Sequence, residues 1–262
     1  MTPTVSVVIP TVWLNEHFQQ ALESILTQTL RDIEIVVVLD GIADIDHVIP
    51  DDSRITVVQH AVRRGTPAAL NSGVAAAQAP FIARLDADDV ASPERLERQV
   101  AEFRSRPDLV LLGSYAAVID SSGAPTGLVE VPTAAIPAAL LRRNAFVHSS
   151  VMIRRGALEL VGGYDERCNR MQDYDLWLRI ARVGQIANIP DVLVAYRVHD
   201  GMHSRVTSPI GPAARCVLAS RSRLARSLGR SAASQHAENT LWTVAQLLRH
   251  ARLRRPRYLT AR

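Results

Sequence analysis

The chain contains no lysine: all 30 of its basic side chains are arginine. Cysteine is almost as scarce. Cys168 and Cys216 are the only two in 262 residues, which excludes a disulfide scaffold. Neither they nor the histidines show the ligand spacing of a zinc site. Aromatic residues make up only 5% of the chain. No apolar run approaches the roughly 18 residues that a membrane-spanning helix needs. The N-terminus MTPTVSVVIP lacks a basic n-region and a cleavage site, so no signal peptide is expected and the default compartment is the cytoplasm. There is no G-x-S-x-G elbow and no Walker or Rossmann glycine pattern. Nucleophilic-serine chemistry and the glycine-loop nucleotide folds therefore lack support.

What is present is ordinary for a globular protein: 47% hydrophobic and 21% charged residues. The length allows a large core in one domain. Charge is unevenly spread. Residues 206–262 hold 11 arginines and one acid, Glu238, for about +10. Residues 1–205 hold 19 arginines and 25 acids, for about −6, and the two parts make up the net +4. The division predicts a body over 1–205 and a basic, partly amphipathic helical tail over 206–262, with different partners.

Along the body, short β-branched runs alternate with helical periodicities. Residues 5–9, 33–39, 55–58 and 81–85 read as buried strands, as do 109–112. Phe18, Ala21, Leu22, Ile25 and Leu26 form one helix face behind Asn15, a suitable N-cap. A helix begins near Thr66-Pro67, since proline suits the first helical position. Another follows Ser92-Pro93, with Leu96, Val100 and Phe103 facing inward. Residues 120–145 look irregular, 146–153 and 186–198 strand-like, and 172–183 helical. This alternation predicts an α/β fold with a mostly parallel central sheet flanked by helices. Ligands in such sheets bind beyond the carboxyl ends of the strands, where Asp40 and residues 86–89 would share a rim.

Three groups of residues suggest chemistry. Asp86-Ala87-Asp88-Asp89 places three carboxylates in four residues after a buried strand. They repel one another and call for a cation or hydrogen bonds. Such hard oxygen ligands suit Mg²⁺ or Mn²⁺, although the same four residues also suit a solvated turn before a helix. Asp173, in the first turn of a helix, reads either as a dipole-stabilised cap or as a carboxylate base. Asp175 points away from it and has a separate role. Arg197 and His199 alternate to one side of an extended segment, where both could meet an anionic phosphate; the alternative is an ordinary surface salt bridge.

Taken in order, these segments resemble the family 2 glycosyltransferases of GT-A fold. The matching stretches are Val5–Thr11, Asp40-Gly41, Arg64 through Gly73, Leu85–Asp89, Pro93–Leu96, His148–Arg155, Gly162–Glu166, Gln172–Arg179 and Tyr196–His199. Together they cover about residues 4–204. The resemblance implies an inverting, metal-dependent glycosyltransferase. It would move a sugar from a nucleotide-sugar donor to a hydroxyl of a glycan or lipid-linked acceptor in cell-surface polysaccharide or glycolipid biosynthesis. It further implies that Thr11, Asp40, Arg64 and Asp86 bind the nucleotide. Asp88 would hold a divalent cation, Mn²⁺ or Mg²⁺, with Asp86 or Asp89 as alternatives. Asp173 would be the catalytic base, and Arg197 and His199 would belong to a segment closing over the phosphates.

Three residues depart from the family pattern. Leu39 stands where a first acid is usual, Val12 where an aromatic follows Thr11, and Gln172 where a glutamate precedes the base. Val12 implies either weaker base stacking or stacking taken over by Trp13. By removing a like charge, Gln172 should leave Asp173 easier to ionise. No Q-x-x-R-W element of processive synthases is present, so a single addition is expected. A non-catalytic sugar-nucleotide-binding or scaffold protein of the same fold is the alternative. A nucleotidyltransferase would need a glycine-rich phosphate loop after the first strand, where Pro10-Thr11-Val12-Trp13 stands.

The tail carries two apolar stripes, Val217-Leu224-Leu228 and Leu241-Val244-Ala245-Leu248. They suit peripheral contact with the inner face of a membrane, packing on the body, or a homodimer. Its few aromatics argue against nucleic acid.

Overall fold

The structure is a computed structural model describing residues 2–43, 48–199 and 211–250. The chain opens with strand β1 (Val5–Thr11), helix α1 (Glu16–Leu26), β2 (Ile33–Asp40), β3 (Ile55–His60), α2 (Thr66–Ala76) and β4 (Phe81–Arg84). Asn15 caps α1 as expected: its Oδ1 accepts from the Phe18 N–H at 3.1 Å. The four strands lie in the order β3-β2-β1-β4, all parallel. Side chains alternate across a strand, so Val5, Val7 and Ile9 join a core with α1, whereas Val8 faces the opposite core with Ala69 and Leu70 of α2. β3 is not buried as its sequence suggests. It is the sheet edge, and Thr56, Val57 and Gln59 are exposed.

Helix α2 approaches β1 and β2 closely because Gly73 has no side chain. A Cβ there would lie 2.4 Å from Val8 Cγ1 and 3.0 Å from Val38 Cγ2. Gly73→Ala is expected to cost about 1–3 kcal/mol by overpacking. Urea unfolding measures this, and an unchanged midpoint would mean that the helix yields freely.

The second half departs from the mostly parallel sheet that the sequence predicts. It comprises β5 (Val90–Ala91), α3 (Arg95–Ser105), β6 (Leu109–Ile119), β7 (Pro125–Val129), α4 (Ile136–Leu140), β8 (Met152–Arg154), α5 (Arg155–Leu160), α6 (Gln172–Ile180) and β9 (Gln185–Arg197). Short 3₁₀ turns span His148–Ser150 and Glu166–Cys168. β8 pairs antiparallel with both β4 and β6, β5 antiparallel with β9 and β7 antiparallel with β6; of the pairs within this half only β6 and β9 are parallel. The sheet is thus mixed. For β6 and β7 the reason is a short connection, a tight turn that only an antiparallel pair permits. Residues 120–145, expected to be irregular, contain β7 and α4.

The tail forms α7 (Pro212–Ser227) and α8 (Ala232–His250). Val217 and Leu224 of α7 are buried in the same core as Leu176, Trp177 and Ile180 of α6. Trp242 of α8 joins them, with the Arg221 guanidinium 5.1 Å from its ring centre. The remaining stripe residues face outward: Leu228, Leu241, Val244 and Leu248 are exposed. Residues 206–210 and 251–262 of the basic tail lie outside the described residues, as does His203. Among the described residues no helix is long and apolar enough to cross a membrane.

Candidate active site

Parallel strands bring their carboxyl ends to one rim. Asp40 and the turn after Arg84 therefore meet at the ends of β2 and β4, as the sequence predicts, and Thr11 joins them at the end of β1. Asp40 is buried and both of its oxygens are used. Oδ1 accepts from the Arg64 N–H at 2.7 Å and Oδ2 from the Gly65 N–H at 2.8 Å. His60 Nδ1 lies 2.9 Å from Oδ1, and its Nε2 lies 2.9 Å from Ser72 Oγ. Burial raises the Asp40 carboxyl, but the Arg64 N–H, His60 and the Gly65 N–H outweigh it and hold the group below its ordinary value. Gly41 makes the approach possible. Its φ is +84°, and a Cβ there would meet the Arg63 nitrogen at 2.7 Å.

Asp40 thus ties down the 63–65 loop, which leaves the Arg64 side chain exposed above it. Thr11 is similarly engaged. Its hydroxyl donates to the Trp13 carbonyl and accepts from the Trp13 N–H, shaping a turn on which Trp13 is 38% exposed.

The acidic turn is more elaborate than three crowded carboxylates. Arg84, with its side chain buried, makes a two-pronged ion pair with Asp86. Ser149 Oγ donates to the same carboxylate at 3.1 Å. A second buried guanidinium, Arg95, donates to the Arg84 carbonyl at 2.8 Å. Asp88 faces His199, with Nε2 3.0 Å from its Oδ2. Asp89 is wholly buried; its Oδ1 accepts from the Arg197 N–H at 2.7 Å, and its Oδ2 has no partner. Burial and the Asp86 charge push the Asp88 carboxyl up, with His199 and Arg84 opposing. Burial, then Asp86 and Asp88, push Asp89 well up. Carboxylate oxygens of all three lie within 4.8 Å of one another. With Asp86 already satisfied by Arg84 and Ser149, the under-satisfied oxygens belong to Asp88 and Asp89. That donor set suits a hard divalent cation.

Arg197 differs from its sequence reading. It is only 2% exposed, and its guanidinium donates to the Asp88 carbonyl at 2.8 Å and to Gln20 Oε1 at 2.7 Å, with the Asp120 and Ser121 carbonyls at 3.2 and 3.3 Å. A phosphate contact does not fit a guanidinium so engaged. Arg197 and His199 do converge, but on the acidic turn, which they hold from behind.

Asp173 sits in the first turn of α6, half-buried, and accepts from Asn144 Nδ2 at 2.7 Å. Burial raises its carboxyl, against the opposing Tyr174 N–H, Asn144 and Arg84. Gln172 adds no like charge beside it, so this rise comes from desolvation and not from a neighbouring carboxylate at 172. A raised carboxyl is the stronger proton acceptor. Asp175 faces the other way, as expected, onto Arg179 at 2.7 Å and Ser220 at 2.6 Å.

Sequence reasoning missed Arg84, His60, Asn144, Ser149 and the pair formed by His148 and Tyr164, whose Nε2 and hydroxyl lie 3.0 Å apart. Two carried a signal. An arginine inside a buried strand, two residues before a carboxylate, has no solvent to face. His60 ends its strand in register with Asp40.

Comparison with known proteins agrees with this geometry. Residues 6–160 match the family described as Glycosyl transferase family 2. The amylovoran biosynthesis glycosyltransferase AmsE of Erwinia amylovora is 33% identical over 199 residues, covering 71% of this chain and 73% of its own. The O-antigen biosynthesis glycosyltransferase WbnJ of Escherichia coli is 28% identical over 206 residues, covering 75% of this chain and 80% of its own. The crystal structure of S. aureus TarS 1–349 in complex with UDP-GlcNAc has a TM-score of 0.66 over 91% of this chain and 71% of that one. At 16% identity that likeness concerns the fold alone. Strand order, rim residues and sequence kinship thus converge: the chain belongs to glycosyl transferase family 2 and is a glycosyltransferase of GT-A-type fold.

Proposed function

We propose that this glycosyltransferase moves one sugar, with inversion, from a nucleoside-diphosphate sugar to a hydroxyl of a cell-surface glycan or lipid-linked precursor. The observation that supports this best is the presence of two acidic centres of different character. One is the crowded 86–89 turn with an unpartnered buried oxygen on Asp89; the other is the single, desolvated Asp173.

In this reading the loop held by Asp40 and the Trp13 face receive the nucleoside, and Arg64 approaches it from the loop. Asp88 and Asp89 would hold Mn²⁺ or Mg²⁺, with Asp86 kept in place by Arg84. When bound, the cation would offset the negative charge that builds on the departing diphosphate. Asp173 takes the proton of the acceptor hydroxyl as its oxygen bonds the anomeric carbon and the bond from that carbon to the diphosphate oxygen breaks. Inversion requires base and diphosphate on opposite faces of the sugar, which two separate acidic centres can supply. The names of AmsE and WbnJ favour an acceptor in bacterial polysaccharide assembly. The exposed Leu241, Val244 and Leu248, followed in sequence by Arg252, Arg254, Arg255 and Arg257, suit an anionic membrane surface on which a lipid-linked acceptor would sit.

A thermal-shift series with UDP, GDP, dTDP and CDP, with and without Mn²⁺, tests the donor site. One nucleotide is expected to raise the melting temperature, and more so with Mn²⁺, since a ligand at 100 times its Kd adds about 2.7 kcal/mol. The Mn²⁺ increment should be smaller at acidic than at alkaline pH. The sign follows from the raised Asp88 and Asp89 carboxyls. Without a cation, protonation favours the folded chain; that contribution is lost as pH rises through the raised values, and a bound cation replaces it. No shift for any nucleotide, or a Mn²⁺ increment independent of pH, would count against the assignment.

A further inference from the structure

The two cysteines of the chain, 48 positions apart in sequence, meet in the fold. Cys168 closes the 3₁₀ turn Glu166–Cys168, and Cys216 lies on α7. Both are free thiols. Their sulfurs and a carboxylate oxygen of Asp165 lie within 4.8 Å of one another. Cys168 is wholly buried, whereas Cys216 is part-exposed and lines a cleft of about 390 Å³.

Two uses of such a pair compete: a thiophilic cation held with Asp165, or oxidation. The charges around the cleft decide between them. Arg167, Arg179, Arg215 and Arg223 all line it. Asp165 is already bound by Arg167 through two bonds of 2.8 and 2.9 Å, and Asp175 by Arg179 at 2.7 Å. Among the described residues Arg215 and Arg223 have no carboxylate within ion-pair distance. The cleft is therefore positive beyond what its carboxylates offset. That field repels a divalent cation, which leaves oxidation as the use that fits the pair.

We propose that Cys216 and Cys168 form a peroxide-sensitive modification site that ties α7 to the turn leading into the Asp173 helix. A hydroperoxide reacts first at Cys216. The Cys216 sulfur bonds the terminal peroxide oxygen as its thiol proton is released, the O–O bond breaks, and the alkoxide or hydroxide leaves and takes up a proton. Cys216 is then a sulfenic acid. The Cys168 sulfur next displaces the sulfenic hydroxyl, which leaves as water with the Cys168 proton. The result is one disulfide, two thiols having been oxidised by two electrons and one peroxide reduced. Burial of Cys168 keeps solvent oxidants away, so it acts only on its neighbour. The site is independent of the sugar-transfer chemistry.

The test uses the full chain, reduced, exposed to stoichiometric hydrogen peroxide, and then alkylated with a maleimide under denaturing conditions. Two adducts are expected before oxidation and none after, with a Cys168–Cys216 cross-linked peptide within a single chain. The oxidised chain should melt about 5 °C or more higher, reversed by dithiothreitol. In Cys168→Ser, oxidation should stop at a sulfenic acid on Cys216, trapped by dimedone. In Cys216→Ser, Cys168 should keep its thiol. The proposal is overturned if the oxidised wild-type chain still takes up two maleimides or cross-links only between chains. It is also overturned if Cys168 reacts equally well without Cys216, or if the untreated chain carries a zinc ion that Cys216→Ser removes.

Discussion

Asp173→Asn is expected to lower kcat by about 10²–10⁴-fold, the usual worth of a positioned general base, while leaving the nucleotide-induced thermal shift intact. The substitution keeps the shape of the side chain and an oxygen to accept from Asn144, so it removes the proposed proton acceptor and little else. The pH profile makes the same point. Burial raises the Asp173 carboxyl, so in the wild-type enzyme the rate should rise with pH through a value above the ordinary carboxylate range. The residual activity of the variant should lack that limb. The measurement is steady-state transfer from whichever donor the thermal-shift series identifies. Near-normal turnover by Asp173→Asn would remove the base from this position.

The largest stability effect is expected from Arg84→Met. The Arg84 side chain is buried and its guanidinium is divided between Asp86 and Ser149. Methionine fills much of the same volume, but Asp86 would lose its counter-charge beside Asp88 and Asp89. Breaking a fully buried ion pair costs about 3–5 kcal/mol; Asp86 is 35% exposed, so water screens part of the stranded charge and the loss is expected at about 2–3 kcal/mol. Arg84→Met/Asp86→Asn should be less destabilised than the sum of the two single changes, since the double variant leaves no stranded charge. Urea unfolding of the four proteins gives the coupling. Strict additivity, or an Arg84→Met loss below about 1 kcal/mol, would show that the pair does not hold the turn. The same variant should bind Mn²⁺ differently, because the charge balance of the turn changes. That effect is separable from stability by working well below the melting temperature.

Much of the site was legible in the sequence because its residues sit at strand ends. Once β1, β2 and β4 are recognised as parallel strands, Thr11, Asp40 and Asp86 must share a rim, whatever the details of packing. Asp173 was legible through its motif and its place at the start of a helix. Arg197 was misjudged because alternation along a strand tells which side a residue faces but not what awaits it there. The strand faces the back of the acidic turn, where three backbone carbonyls, a glutamine and the Asp89 carboxylate's demand for an N–H leave no room for a phosphate. The sequence shows that Gln172 removes a like charge beside Asp173, but it does not show the desolvation that raises the carboxyl.

The sequence by itself determined the alternation of strands and helices, the two-sided burial of β1 and β2, and the identity of the acidic centres. These follow from local periodicity and from residue types that only certain environments tolerate. The tertiary structure decided the antiparallel insertion of β8, the docking of α7 onto α6 through Val217 and Leu224, and the balance of charge around each carboxylate. It also brought Cys168 and Cys216 together. All of these depend on contacts between segments far apart in the chain, and the energy of such a contact lies in burial and partner geometry that no local pattern encodes.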